Sequence, residues 1–203
     1  TYQFRFKAFN YKKEPVVTQE KSYIVSTWSA SNMPAIEREI YSPMWHELTT
    51  MVIFGPNEFQ MDDYQGIMTN WQEFGKFVHS LRQGRDQLPD NVKQAVHSIA
   101  DGIKNPVDKI ARLYEYMQKN TRYISIQLGI GGWQPFDAKY VATKGYGDCK
   151  ALTNYMYSIL KEAGIISYYA VIRAGKNANY ITADFPSQQF NHVILCVPLS
   201  KKD

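Results

Sequence analysis

An α+β fold is the prediction for this sequence, and three observations lead to it. The chain has 203 residues, of which 44 % are hydrophobic and 14 % aromatic, enough to form a sizeable core. The hydrophobic pattern changes near Gly55-Pro56, from strand-like alternation before this step to helical spacing after it. Two strand-like segments then follow the last predicted helix. We therefore expect residues 1–57 to be the C-terminal part of a β-sheet domain and residues 58–203 to be an α+β core, in which helices precede an antiparallel sheet.

The N-terminal segment carries the signals of strands. Residues 2–9 alternate between apolar and polar side chains with a period close to two. Residues 17–29 are rich in Val, Thr, Tyr and Ile, and residues 35–41 and 47–54 have a similar character. We expect four strands here, the last of which ends at the Gly-Pro step.

Three helices are predicted next. Apolar residues recur at near-helical spacing over residues 64–82. Asp90 is a candidate N-cap for the second helix, and Gly102 is a candidate end for it. Asn105 is a candidate N-cap for the third helix, since Pro106 then occupies the first helical position, where proline is favoured.

The last part of the chain predicts a short strand, a loop, a helix and two final strands. Residues 123–128 alternate and are followed by a glycine-rich loop at 129–132. A helix is expected to begin at Cys149 and to end at Gly164. The segments 165–173 and 190–199 are β-branched or aromatic and predict strands.

Composition and motifs exclude several classes of function. The formal net charge is +4, and its Lys and Arg residues are scattered, which argues against nucleic-acid binding. The apolar runs are shorter than the roughly 18 residues of a membrane span. No spacing of His, Cys or acidic residues is typical of a metal site, and no nucleotide-binding motif is present, so no cofactor is expected. The chain starts without Met and shows no signal peptide, and we expect it to be a segment of a longer protein with further domains.

Cys149 is the candidate nucleophile. A thiolate is the reactive form of cysteine, and the unpaired N–H groups at a helix start favour it. Gly145 and Gly147 allow a tight turn and leave room for a substrate backbone. Asp148 is the expected N-cap, and its negative charge opposes thiolate formation. The alternative is that Cys149 is a small core residue, which is common for free cysteine; Cys196 is expected to be such a residue.

His192 is the candidate base. It follows Asn191 at the start of the last predicted strand, where a packed α+β core can bring it to the start of the cysteine helix. His46 lies in the β segment, and His79 and His97 lie on amphipathic helices, where a surface role is expected. The alternative for His192 is a half-buried histidine at a strand end.

Three short motifs together resemble one known family. They are Gly147-Asp148-Cys149 opening a helix, Asn191-His192-Val193 opening a strand, and Trp133-Gln134-Pro135 upstream. They resemble the transglutaminase-like superfamily of papain-related folds, over roughly residues 105–199. The N-terminal segment resembles, more weakly, a β-domain of unknown function that precedes this core in many bacterial envelope proteins.

This resemblance implies a papain/transglutaminase-like core with a Cys149–His192 pair. Cys149 would form a thioester with a peptide or protein substrate, and His192 would act as general base and acid. Water as the acceptor gives a peptidase or amidase, whereas an amine gives crosslinking, and the sequence leaves both open. The resemblance also points to the bacterial periplasm or cell envelope. The alternative function is a non-catalytic peptide-binding or structural domain of a larger envelope protein.

The remaining site residues follow from the same resemblance. The family's third catalytic residue is an acidic residue on the strand after the histidine. We expect it beyond Asp203, which would leave this chain with an impaired site. The Cys149 N–H is one oxyanion donor, and Gln134 or Trp133 is the candidate for the second, although Trp133 would alternatively only bury its ring. Groove candidates are Gly147, Tyr146 and Asn191.

Overall fold

The chain folds into two compact units. The computed structural model describes residues 3–37, 39–175 and 180–199. One unit spans Thr1–Asn57 and the other spans Glu58–Asp203. Asp203 itself lies outside the described residues.

The N-terminal unit is built from two antiparallel strand pairs. Its elements in chain order are β1 (Phe4–Phe9), β2 (Val16–Glu20), β3 (Tyr23–Thr27), the short helix α1 (Trp45–Leu48) and β4 (Met51–Pro56). Strand β1 pairs with β4, and β2 pairs with β3. The Trp28 ring makes T-shaped contacts with the rings of Phe6 and Phe54, at centroid distances of 5.1 and 5.2 Å. These aromatic contacts pack β1 and β4 together.

Three of the four predicted strands in this unit need correction. The segment predicted as one strand over 17–29 forms two, β2 and β3, which pair with each other. The strand over 35–41 is wrong for its described residues, because Glu39 and Ser42 close a turn and Tyr41 adopts a φ of 71°. The segment 47–54 begins in α1 instead of a strand. Glu47 accepts a hydrogen bond from the Met44 N–H at 3.2 Å, which stabilises the helical turn.

The second unit places helices before an antiparallel strand pair, as the sequence predicted. Its elements are β5 (Glu58–Met61), β6 (Tyr64–Ile67), α2 (Trp71–Ser80), α3 (Asp90–Ala100), α4 (Pro106–Asn120), β7 (Arg122–Tyr123), a 3₁₀ turn (Gly129–Gly132), α5 (Ala138–Lys144), β8 (Tyr146–Gly147), α6 (Cys149–Glu162), β9 (Tyr168–Ile172) and β10 (His192–Cys196). The pairs β5–β6 and β9–β10 are antiparallel, and β7–β8 is parallel.

Local capping signals explain most helix boundaries. Helix α4 begins as predicted, with the Asn105 side chain accepting from the Val107 N–H at 2.9 Å. Helix α2 begins later than predicted, with Asn70 as its N-cap and Trp71 as its first residue, because residues 64–67 pair with β5 as a strand. Asp90 is the first residue of α3 and not its cap, which is Pro89.

The predicted strand over 123–128 is wrong beyond its first residue. Tyr123 pairs with Gly147, and the Ile124 N–H donates to the Gly147 carbonyl at 3.0 Å. Strand β8 ends at Gly147, and the chain then enters α6, so residues 124–128 have no strand to pair with. Residues 124–128 consequently have no regular structure.

Helix α6 lies in the main core of this unit. Tyr155, Ile159 and Leu160 are almost fully buried and pack against residues of α3, α4 and α5. Burial of each such side chain stabilises the fold by about 1.5–3 kcal/mol. A second cluster, Met68, Phe74, Phe77 and Leu81, lies along α2. The start of α6 is therefore anchored by the buried residues further along the same helix.

Candidate active site

The first residue of α6 is Cys149, and Asp148 caps the helix. The Asp148 backbone is extended, and its Oδ1 accepts from the Ala151 N–H at 3.0 Å. This confirms the predicted helix start and N-cap. Cys149 is 8 % exposed and free of any disulfide, at the end of α6 where the backbone N–H groups concentrate partial positive charge.

A buried ion pair compensates the negative charge of the cap. The Lys150 ammonium donates to the other Asp148 carboxylate oxygen, and the two side chains are only 6 % and 4 % exposed. The carboxylate that caps α6 beside Cys149 is thus paired with a positive charge. Sequence analysis missed Lys150, because residues two apart on a helix do not face each other. Here the extended conformation of the cap makes the contact possible.

Gly147 is required by packing against α6. A Cβ built on Gly147 would lie 2.7 Å from the Ala151 Cβ, far inside van der Waals contact. Gly145 adopts a φ of +68°, which favours glycine. The space above Gly147 is therefore filled by the protein's own helix, where the sequence suggested room for a substrate.

The start of β10 is held by two polar contacts around His192. The Asn191 side chain accepts from the Ala174 N–H at 2.7 Å and donates to the Ala174 carbonyl at 3.0 Å. The Thr153 hydroxyl of α6 donates to the Val193 carbonyl at 3.3 Å. These bonds fix the strand on both sides of His192 and tie it to the helix that begins with Cys149.

One cavity contains both predicted catalytic side chains. It has a volume of about 270 Å³, and its lining includes Cys149, His192, Asn191 and Trp133. The remaining lining residues come from α2 and the residue after it, residues 127–132, the first turn of α6, β9, the segment before β10, and β10 itself. The predicted groove residues Gly147 and Tyr146 are not part of this lining, and the Tyr146 hydroxyl bonds the Tyr140 hydroxyl at 2.6 Å.

The two candidate oxyanion donors differ in their surroundings. The Gln134 amide donates to the Tyr64 hydroxyl at 2.8 Å and lies outside the cavity lining. Trp133 lines the cavity, and its ring meets the edge of Phe77 at 6.0 Å. Trp133 is thus the one of the two that faces the nucleophile's cavity.

Tyr123 is a neighbour of the nucleophile that sequence analysis missed. The β7–β8 register places it beside Gly147, two residues before Cys149. Burial raises the pKa of the Tyr123 hydroxyl above its ordinary value, and so do the adjacent charges of Cys149 and Asp148, while the Cys149 backbone N–H opposes this shift. The phenol is therefore protonated at neutral pH and lies within reach of the nucleophile as a donor. The pairing of β7 with β8 gives no signal in the sequence.

Tyr169 is a neutral wall of the cavity. Burial raises the pKa of its hydroxyl well above the ordinary range, partly offset by the positive charge of Arg82. The Arg82 guanidinium is stacked between the rings of Tyr169 and Tyr157, at 4.2 and 4.4 Å from their centroids. This stacking fixes the orientation of the Tyr169 ring.

Of the other residues considered in the same unit, His79, His97 and Cys196 are not part of the cavity lining. His97 contacts Asp101 and Glu162 at 3.2 Å each, and hydrogen bonds to these two carboxylates raise its pKa above the ordinary value of 6.5. The prediction that Cys196 belongs to the core is wrong, because it is exposed. Side chains alternate along β10, and Val193 points inward while Cys196 points outward.

The described residues contain neither a metal-binding cluster nor a membrane-spanning helix. Within the described ranges, no group of three or more His, Cys, Asp and Glu side chains is arranged to hold a metal ion. The described helices include none with the length and apolarity required to cross a membrane.

A family comparison now identifies the fold. The sequence model of the transglutaminase-like superfamily matches residues 93–197, just over half of the chain. The chain belongs to the transglutaminase-like superfamily. The match includes Cys149 and His192 and ends one residue after β10. The resemblance predicted from the three motifs is confirmed at the level of the family.

Comparison with solved structures supports the same fold. A crystal structure of a protein from Parabacteroides distasonis, described as a proposed protease, superimposes with a TM-score of 0.58 at 15 % identity. The alignment covers 91 % of this transglutaminase-like chain and 34 % of the other, so the chain spans about a third of that protein. The comparison with curated proteins finds no match.

Proposed function

We propose that this chain performs cysteine-dependent acyl transfer on peptide amides, with Cys149 as nucleophile. The observation that carries the proposal is that Cys149, at the start of α6, and His192, at the start of β10, line one cavity. A thiol at a helix N-terminus beside an imidazole is the pairing that activates a cysteine nucleophile. The description of the Parabacteroides distasonis protein as a proposed protease agrees with this chemistry.

The proposed reaction has two stages. His192 takes the Cys149 proton, and the thiolate sulfur attacks the amide carbonyl carbon, which moves an electron pair onto the carbonyl oxygen. The C–N bond then breaks as His192 returns the proton to the leaving amine, and a thioester remains on Cys149. Water or an amine next attacks the thioester while His192 accepts its proton. The C–S bond breaks, and the thiol is restored.

The environment of Cys149 supports these steps. The α6 N-terminus stabilises the thiolate, and its first N–H group is a donor for the oxyanion. Lys150 pairs the adjacent negative charge of Asp148 with a positive charge. Asn191 and Thr153 position the strand that carries His192.

Selective alkylation tests the proposal. Because Cys196 is exposed, the measurement uses the Cys196→Ser background. We expect iodoacetamide near pH 6 to label Cys149 faster than a free model thiol, and the His192→Ala variant to lower that rate at least about tenfold. The control is His79→Ala, an exposed histidine on α2. Labelling as slow as that of the model thiol, or unchanged by His192→Ala, would contradict the proposal and favour a peptide-binding domain without chemistry.

A further inference from the structure

Aromatic and aliphatic side chains form part of the walls of the cavity beside Cys149. They come from α2, the residue after the 3₁₀ turn, β9 and the segment before β10, and include Phe74, Val78, Trp133, Tyr169, Val171 and Phe190. These elements all belong to the transglutaminase-like unit, and they place an apolar surface next to the proposed nucleophile.

These walls are held in place from behind. The rings of Phe74 and Phe190 stack at 5.9 Å with an interplanar angle of 14°, and Trp71 contacts Phe190 edge-on at 5.7 Å. The Trp71 indole in turn donates to the Ala183 carbonyl at 2.6 Å. The apolar surface is therefore preformed and does not depend on substrate for its shape.

The cavity offers no uncompensated charge to a substrate. Among the described residues that line it, Lys150 is the one with a permanent charge, and Asp148 neutralises it. Three amides line the cavity: Gln188 donates to the Phe190 carbonyl at 3.0 Å, Asn191 bonds the backbone of residue 174, and Gln127 is the third. A charged side chain buried here would lose its hydration without gaining a counter-charge, which is unfavourable.

The size of the cavity fits one large side chain. Its volume of about 270 Å³ is slightly below the roughly 300–1,000 Å³ that is typical of sites for drug-sized ligands.

We infer that the reacting carbonyl belongs to a main-chain amide whose acyl-side residue carries a large apolar side chain, such as Phe, Leu or Met. This inference rests on the proposed function and deepens it. It assigns the cavity to that side chain. The favoured first step is then cleavage of a peptide bond after an apolar residue.

Inactivation by peptidyl chloromethyl ketones tests the inference in a single step. The Cys149 sulfur displaces chloride and forms a thioether, so no later catalytic step is needed. On the Cys196→Ser protein, we compare reagents that end in Phe, Leu, Ala, Gln, Asp or Lys and measure the second-order rate of loss of the Cys149 thiol. We expect Phe and Leu to react about 10–200-fold faster than the other four.

A charge placed in the wall should change this preference. Val78 lines the cavity. We expect Val78→Asp to slow the reaction of the Phe reagent and to speed the reaction of the Lys reagent at least about tenfold. Val107→Asp is the control, because Val107 is 51 % exposed on α4. The ranking on the Cys196→Ser protein with Val78 intact stands alone as a test if Val78→Asp lowers stability.

The outcomes separate the inference from the proposed function. Equal rates for all six reagents, or a fastest reaction with Gln, overturn the inference while leaving selective iodoacetamide labelling of Cys149 intact. Failure of Cys149 to react selectively with iodoacetamide removes the proposed function and the inference together.

Discussion

Replacing Lys150 with Met should destabilise the transglutaminase-like unit strongly. The substitution keeps the length of the side chain but leaves the Asp148 carboxylate buried without its counter-charge. Breaking a buried pair by removing one partner costs about 3–5 kcal/mol. Asp148 keeps its bond from the Ala151 N–H and the favourable field of the helix start, which together offset about 1 kcal/mol. We therefore expect a loss of about 2–4 kcal/mol in the free energy of unfolding.

Thermal unfolding measures this loss directly. For a unit of this size, each kcal/mol corresponds to about 2–4 °C in Tm, so Lys150→Met should lower Tm by about 4–16 °C. Asp148→Asn alone should cost a similar amount, because it leaves the ammonium buried and unpaired. The double variant should recover most of the loss, since Asn caps a helix about as well as Asp and no buried charge remains.

A surface pair provides the matched control. Lys76 contacts Glu73 at 2.6 Å, but its side chain is 73 % exposed, so Lys76→Met should change the free energy of unfolding by less than about 1 kcal/mol. If Lys150→Met shifts Tm no more than Lys76→Met does, or if the double variant is as unstable as the sum of the singles, the ion pair does not compensate Asp148 and the reasoning is wrong.

Three further predictions address the site and its support. Tyr123→Phe removes a donor beside the nucleophile, so acyl transfer from an amide should slow about 10²-fold while iodoacetamide alkylation, which develops no oxyanion, stays nearly unchanged; equal slowing of both reactions would refute this role. Gly147→Ala forces a methyl group against the Ala151 Cβ and should cost about 1–3 kcal/mol of stability in a denaturant titration, with rescue by Ala151→Gly. The raised pKa of His97 means that its contacts stabilise the fold below pH 6.5 and that this contribution is lost as pH rises through the folded-state pKa. The Tm difference between the unmodified protein and His97→Gln should therefore be larger at about pH 5.5 than at about pH 8.5, and a difference independent of pH would contradict the assignment.

Two helix starts were predictable because their signals are local. Asn105 with Pro106, and Asp148 with Cys149, each satisfy free backbone N–H groups within a few residues of sequence. The pattern of apolar residues along α6 likewise follows from helical periodicity alone. These signals do not depend on any other part of the chain.

Strands were less predictable because a strand needs a partner. Residues 64–67 have helix-compatible spacing but pair with β5. Residues 124–128 alternate as a strand does, yet their neighbour β8 ends at Gly147 and leaves nothing to pair with. Backbone hydrogen bonding between segments decides such cases, and a single segment carries no record of its partner.

The sequence by itself determined the family, the α+β order of elements and the identity of Cys149 and His192 as candidates, because short motifs and local periodicity carry that information. Only the tertiary structure decided what surrounds these two residues. The neutralisation of Asp148 by Lys150, the approach of Tyr123 and the aromatic cavity all join residues by side-chain packing across different elements. Such contacts depend on how the helices and strands pack around α6. The spacing of residues along the chain does not show them.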